Sequence, residues 1–321
     1  MAALEPARPD RAEPLADLLE LAEAYALRSK APATLKAYAT DWRHFSDWCS
    51  ARGLAVLPAE VATVAAYLAA HGGRLAVTTL RRRLSSISQI HQAAGHPSPT
   101  ATAEIRLVWQ GVVRTHGRRP ARQAEPAVTE TVRAMVATLD DGLLGRRDRA
   151  LLLLGFAGFL RRSELVALDA ADVVEVPEGL EVLVHRSKTD QEGEGAVLAI
   201  PRGAHETTCP VRAWRAWVTA AGISGGPAFR GVDRHGNVAP TRLSDKTVAR
   251  AVKRAAGRAG LDTAAFSGHS LRSGLAVAAA RAGVAEELIM EQGRWKSAAV
   301  ARTYIRRGEL WREVAAAQVG L

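Results

Sequence analysis

The side chains most able to do chemistry together lie in the last fifth of the chain. They occur in Ser267-Gly268-His269-Ser270-Leu271-Arg272-Ser273-Gly274, in Gly293-Arg294-Trp295 and in Arg302-Thr303-Tyr304-Ile305-Arg306-Arg307. A histidine can move a proton, arginines can hold an anion, and a tyrosine hydroxyl can attack one. His269 and Arg272 are three apart, which places both on one side of a helix's first turn, where free amide groups also favour an anion. Taken alone, this His-x-x-Arg pair fits a surface helix start with incidental basic residues better. Gly268-His269-Ser270-Leu271-Arg272 begins like the Gly-x-Ser-x-Gly turn of serine hydrolases. Arg272 stands where the last glycine must permit the sharp strand-to-helix turn, so that chemistry is disfavoured.

The elements that must position these residues are mostly helical. From Thr34, the residues Leu35, Tyr38, Trp42, Phe45 and Cys49 recur three and four apart, which predicts a helix ending near Gly53. Similar stripes follow in Val61, Val64, Ala65 and Leu68, in Val77, Leu80, Leu84, Ile87 and His91, and in Ile105, Val108, Trp109 and Val112. Four short helices joined by Gly and Pro turns make a small bundle. The third places Arg81, Arg82 and Arg83 together on its outer turn, either as a solvated face or as a grip on a polyanion. Arg106, Arg114, Arg118, Arg119 and Arg122 follow with no acidic residue until Glu125, as expected of a basic linker.

After Pro126 a helix is expected from Val128 to Leu139 and a long one from Arg147 to Ala167, with Arg161 and Glu164 on one face. Val- and Leu-rich runs at Asp172 to Val176, Leu180 to His185 and Ala196 to Ile200 read as a three-stranded antiparallel meander with Lys188 at the second turn. Helices resume at Pro210 to Ala221, at Ser244 to Ala259 with a basic face of Lys246, Arg250, Lys253, Arg254 and Arg258, and at Ser270 to Ala282, Ala285 to Glu291 and Ser297 to Arg306; Gly222 to Gly236 reads as a turn-rich loop.

At 321 residues the chain is long enough for two domains. Its 43 Lys and Arg against 33 Asp and Glu leave a net charge of +10, which calls for a polyanionic partner, nucleic acid first. The longest apolar run, Ala150 to Leu160, falls short of the ~20 residues a membrane helix needs. Glu5, Asp10 and Glu13 break up any secretory signal, so residues 1–30 read as a loose, flexible leader of a cytoplasmic protein. Cys49 and Cys209 are too few for a disulfide framework or a paired-ligand zinc site.

Five ordered segments are similar to the successive catalytic boxes of the tyrosine recombinase, or phage integrase, family. They are Leu160-Arg161-Arg162-Ser163-Glu164-Leu165, His185-Arg186-Ser187-Lys188-Thr189, Ser267 to Gly274, Gly293-Arg294-Trp295 and Thr303-Tyr304-Ile305-Arg306. Tryptophan at 295 resembles the branch of the family that lacks the second histidine found in many relatives. The resemblance implies a mainly α fold of two domains. Residues 31–116 would be a four-helix core-binding domain, 117–127 a basic linker, and 128–321 a helical catalytic domain with a small three-stranded sheet, the two halves clamping duplex DNA. It implies that Tyr304 attacks a scissile phosphate to give a 3′-phosphotyrosyl link, that Arg161 and Arg272 clamp its oxygens, and that Lys188 protonates the leaving 5′ oxygen. His269 would assist proton transfer, Trp295 would give an indole hydrogen bond and packing, and Glu164 would orient the basic groups. Arg162 stands as a neighbour able to substitute for Arg161. Arg81, Arg82, Arg83, Arg114, Arg118, Arg119, Arg122, Lys246 and Arg250 are the candidate DNA contacts. No metal or other cofactor is expected, because the covalent link retains the energy of the broken bond. Tetramers would form on DNA, with the tail Leu310 to Leu321 docking on a neighbour. The alternatives are a DNA-binding protein of this fold without chemistry, and a tyrosine topoisomerase or telomere resolvase.

Overall fold

In a computed structural model, residues 30–117, 124–185, 195–310 and 314 are described. The chain divides into two units, residues 1–121 and 122–321. The leader up to residue 29, Lys188, the linker arginines Arg118, Arg119 and Arg122, and most of the tail beyond Leu310 lie outside the described residues.

The first unit contains helices α1 (Pro32–Ser50), α2 (Val61–His71), α3 (Val77–Ala93) and α4 (Ala103–His116). Their stripes meet in a core of Phe45, Cys49, Val64, Tyr67, Leu68, Leu80, Ile87, Ile105 and Val112. Leu35, expected on the α1 stripe, is instead exposed. His91 is a satisfied core histidine: its Nε2 accepts the Ala59 amide at 2.9 Å, so Nδ1 carries the proton and donates to the Ile87 carbonyl at 2.8 Å. At the start of α4, the Thr102 hydroxyl caps the helix by accepting the Ile105 amide.

The second unit opens with α5 (Thr129–Ala137) and α6 (Leu143–Ala157). Ala150 to Leu154 of α6 are buried all round, which makes this helix the central post of the unit. The long helix expected through Ala167 is broken. Phe159 takes a left-handed backbone with φ 48, and the chain restarts as α7 (Arg162–Ala167). A left-handed phenylalanine is costly on steric grounds, and burial of its ring at 2 % exposure offsets that cost.

The meander forms as expected. Strands β1 (Val173–Glu175), β2 (Gly179–Val184) and β3 (Ala196–Pro201) are antiparallel, with Val173 opposite Val182 and Val182 opposite Leu198. After α8 (Pro210–Ala220), the stretch expected to be loop carries β4 (Arg230–Val232), paired with β5 (Val238–Arg242). Then follow α9 (Asp245–Arg258), α10 (Ser270–Arg281), α11 (Glu286–Gly293) and α12 (Ala298–Glu309). A satellite core of Phe159, Ala276, Ala280, Ile289, Ala301 and Ile305 joins the last three helices to the α6–α7 turn.

Candidate active site

Three helix ends and one turn converge on Tyr304. Ala301, Ile305 and Gly308 form the buried face of α12, and Gly308 allows α12 to lie directly on α10: a Cβ there would fall 2.6 Å from the Val277 carbonyl oxygen. This leaves Tyr304 half-buried with its hydroxyl 3.0 Å from Nε2 of His269, the residue just before α10. With the phenol donating, Nε2 is the unprotonated nitrogen.

His269 itself is fixed by the turn that starts α10. The Ser267 hydroxyl accepts the His269 amide at 3.2 Å, the Ser267 amide donates to the Ser270 hydroxyl at 2.9 Å, and the Ser273 hydroxyl donates to the His269 carbonyl. Gly274, further along the same box, lets α10 touch the incoming chain. A Cβ there would sit 1.9 Å from the Ala127 carbonyl oxygen, and the Ala127 amide donates to the Ser270 carbonyl at 2.8 Å.

Arg272 is 1 % exposed. Two of its guanidinium nitrogens donate to main-chain carbonyls, Nη1 to Phe159 and Nη2 to Gly293, and its charge lies 4.5 Å from the centre of the Trp295 ring. The left-handed turn at Phe159 is thus what turns a carbonyl toward Arg272. Trp295 fills the site's floor. Its ring meets Phe159 edge-on at 5.6 Å and lies nearly parallel to Tyr304, with centroids 6.0 Å apart.

Arg161 caps α7. Glu164, 3 % exposed, reaches back so that Oε2 accepts the Arg161 amide at 3.0 Å while Oε1 takes its guanidinium. Arg162 points elsewhere, to Asp245 at 3.1 Å, so the two adjacent arginines do not share a position. The fourth basic residue, Arg294, was not singled out by the sequence. Its guanidinium reaches the second oxygen of Glu164 at 2.5 Å.

These groups repel one another. Burial, then the charge of Arg161, pulls the Arg272 pKa down to about 9. Burial, followed by Arg272, Arg161 and Arg162, holds His269 below its usual 6.5, although the residue as a whole is exposed. Burial raises the Tyr304 hydroxyl, and the Arg272 charge partly offsets it. An excess of buried positive charge beside a neutral imidazole is an environment that an anion relieves.

The candidate DNA contacts separate into two sets. Lys246 and Arg250 are exposed on α9, opposite the buried Val248, Ala251, Val252 and Ala255, whereas Arg254 turns in to Asp148. Arg114 is exposed, Arg81 is exposed with its charge 5.7 Å from the Trp109 ring centre, and Arg82 is half-exposed and paired to Asp41 at 2.6 Å. Arg83 is a correction. It points into the bundle, 9 % exposed, donating to the Tyr67 hydroxyl at 2.8 Å and to His44. Position 83 is three after Leu80 and four before Ile87, so it lies on the buried stripe and not on the outer turn.

The sequence of residues 128–309 matches the phage integrase family, and residues 22–96 match the N-terminal SAM-like domain of phage integrases. An integrase/recombinase xerD homologue of Selenomonas ruminantium is 39 % identical over 290 residues, covering 89 % of this chain and 85 % of that protein. The recombinase cre of Escherichia phage P1 is 27 % identical over 286 residues, 82 % of this chain and 81 % of that protein. In fold, the chain is similar to XerH site-specific recombinase in a post-cleavage complex with a palindromic difH substrate. The TM-score is 0.63 at 16 % identity, covering 90 % of this chain and 81 % of that one. It is also similar to lambda integrase in a tetramer bound to a Holliday junction, with a TM-score of 0.59 at 18 % identity, covering 95 % and 81 %. Among the described residues, no helix is long and apolar enough to cross a membrane.

Proposed function

The chain belongs to the phage integrase family and is a site-specific tyrosine recombinase, and on that premise we propose that Tyr304 is the nucleophile that cuts duplex DNA. The observation that carries this assignment is the 3.0 Å contact between the Tyr304 hydroxyl and His269, beside a buried guanidinium whose orientation two carbonyls fix.

The phenol oxygen attacks phosphorus and its proton passes to Nε2 of His269. The bond to the 5′ oxygen breaks, leaving a 3′-phosphotyrosyl link and a 5′-hydroxyl that takes a proton from Lys188. A second 5′-hydroxyl then attacks the link, returns Tyr304 to its phenol and rejoins the strand. Arg161 and Arg272 meet the charge that builds on the non-bridging oxygens, where a fixed, desolvated guanidinium acts most strongly. Trp295 supports Arg272 through its face, where the ring quadrupole attracts the cation. Neither step consumes a nucleotide, because the phosphotyrosine conserves the bond.

The exposed basic face of α9 and the exposed Arg81 and Arg114 would bind the phosphate backbone, which positions the duplex without reading its sequence. The working form on two sites is a tetramer in which the tail beyond Leu310 docks on a neighbour. A truncation before Glu309 that leaves synapsis intact removes that part. The setting is the cytoplasm, at the nucleoid.

Nicked duplexes drawn from around the protein's own gene trap the intermediate, because the freed 5′ end diffuses away. A covalent protein–DNA adduct is expected from the intact chain, and an adduct that persists in Tyr304→Phe would falsify the assignment.

A further inference from the structure

Arg294 has no part in the steps above, yet its placement is costly to achieve. It ends α11 in a left-handed conformation, φ 51 and ψ 47, that side chains rarely adopt. Its guanidinium is pulled from water, 12 % exposed, to meet a carboxylate 130 positions earlier in the chain. Glycine would take that backbone without strain, so the side chain is what the position adds. The residue before it has no such choice, since a Cβ at Gly293 would fall 2.0 Å from the Trp295 ring.

The consequence lies at Glu164. This buried carboxylate gives Oε1 to the Arg161 guanidinium, while Oε2 takes both the Arg161 amide and the Arg294 guanidinium. A carboxylate with acceptor room left on both oxygens pairs with a guanidinium in a two-pronged fork, taking up two of its donors and neutralising its charge. With Arg294 joining the Arg161 amide on Oε2, that oxygen is filled, only one prong remains for the Arg161 guanidinium, and the cluster of two guanidiniums and one carboxylate stays positive. One short turn thereby serves three groups: Gly293 holds Arg272 by its carbonyl, Trp295 lies against that guanidinium, and Arg294 reaches Arg161 through Glu164.

We propose that Arg294 is a positioning residue for strand cleavage, keeping Glu164 from capturing Arg161 so that Arg161 keeps charge and donors for the phosphate. It touches no reacting atom. The proposal rests on the recombinase reading, and the experiment separates the two: an intact chain that forms no Tyr304-dependent adduct defeats that reading before Arg294 is tested.

The measurement is the single-turnover rate of adduct formation on a nicked duplex, with duplex affinity followed in parallel. Arg294→Gly is expected to bind DNA as the intact chain does but to form adduct roughly 10–100-fold more slowly, the usual loss when a supporting partner is removed. Arg294→Lys, which keeps the charge but not the planar guanidinium, recovers part of that loss. Adding Arg294→Gly to Glu164→Gln costs no more than about twofold beyond Glu164→Gln alone, because the target of Arg294 is already neutral. This last comparison contains no orphaned buried carboxylate, so it stands even if Arg294→Gly alone folds poorly. An Arg294→Gly rate equal to that of the intact chain overturns the proposal. So does a double variant slowed by the product of the two single losses, which would mean that Arg294 acts independently of Glu164.

Discussion

A tyrosine hydroxyl against a histidine nitrogen, an arginine beside them and a carboxylate behind the arginine: this set occurs twice among the described residues. In the first unit Tyr67 lies 2.9 Å from Nδ1 of His44, with Arg83 donating to the same hydroxyl and Asp41 close to Arg83. In the second, Tyr304 lies 3.0 Å from Nε2 of His269, with Arg272, Arg161 and Glu164 around them. Burial raises both tyrosines and lowers both histidines. What differs is closure. Tyr67 is 0 % exposed, and the rings of Phe45, Trp48 and His71 pack around it, so its hydroxyl is fully used by Arg83 and His44. At Tyr304 the arginine donors are turned to main-chain carbonyls, the phenol keeps one partner, and the site is half open. The same chemical groups make a fastening where every bond is closed within the protein and, at the proposed reaction centre, leave one open for a substrate.

The sharpest test of that contrast is the pair of tyrosines. Tyr304→Phe is expected to abolish the covalent adduct while leaving the fold intact. Tyr67→Phe keeps adduct formation per folded molecule and lowers stability by about 1–3 kcal/mol, the cost of stranding buried polar partners, as read by denaturant unfolding. The arginines come next. Arg272→Ala should slow cleavage by roughly 10²–10³-fold in single-turnover kinetics, the loss typical of a fixed oxyanion donor. Arg83→Ala should instead destabilise the chain by about 3–5 kcal/mol because it leaves Asp41 with a buried, half-paired charge. A specific loss of DNA affinity in Arg83→Ala with unchanged stability would contradict its inward placement.

The histidines divide by pH. Below about pH 6.5, and through the lowered pKa of His269, protonation removes the acceptor of the Tyr304 proton, so the cleavage rate falls on acidification. For His44 the effect is on folding. Its folded pKa lies below the unfolded one, so its contribution is present above pH 6.5 and is lost as the unfolded chain takes up the proton first. Melting temperatures should drop by a few degrees toward pH 5, and His44→Gln should flatten that drop. The smallest change is expected from Trp295→Phe, which keeps a ring against Arg272 and Tyr304 and should cost no more than about tenfold in rate. A larger loss would assign the indole N–H the role that the sequence suggested for it.

The helices of both units and the three-stranded meander were legible because their apolar periods are clean. The hairpin of β4 and β5 was not, since Gly225, Gly226, Gly231 and Gly236 crowd those short strands and read as turns. The charge of Arg83 points to the surface, but its register with Leu80 and Ile87 puts it inside the bundle. In the site, His269, Arg272 and Tyr304 carry box spacing and could be singled out. Phe159 and Arg294 could not, because what they contribute depends on left-handed backbone that neither residue type signals. A break after Gly158 was nonetheless available to reading, since glycine at a helix end commonly stops it.

The contact at Gly274 has a mechanical side. The chain enters the second unit with the Glu125 amide bonded to Ala265 and the Ala127 amide bonded to Ser270, while Gly274 brings the next turn of α10 against the Ala127 carbonyl. The incoming chain is therefore fastened both to α10 and to the turn that precedes it. A tug on the chain ahead of Glu125 is delivered within a few bonds to the turn that carries His269 and Arg272, and a side chain as small as alanine at 274 would wedge the two apart.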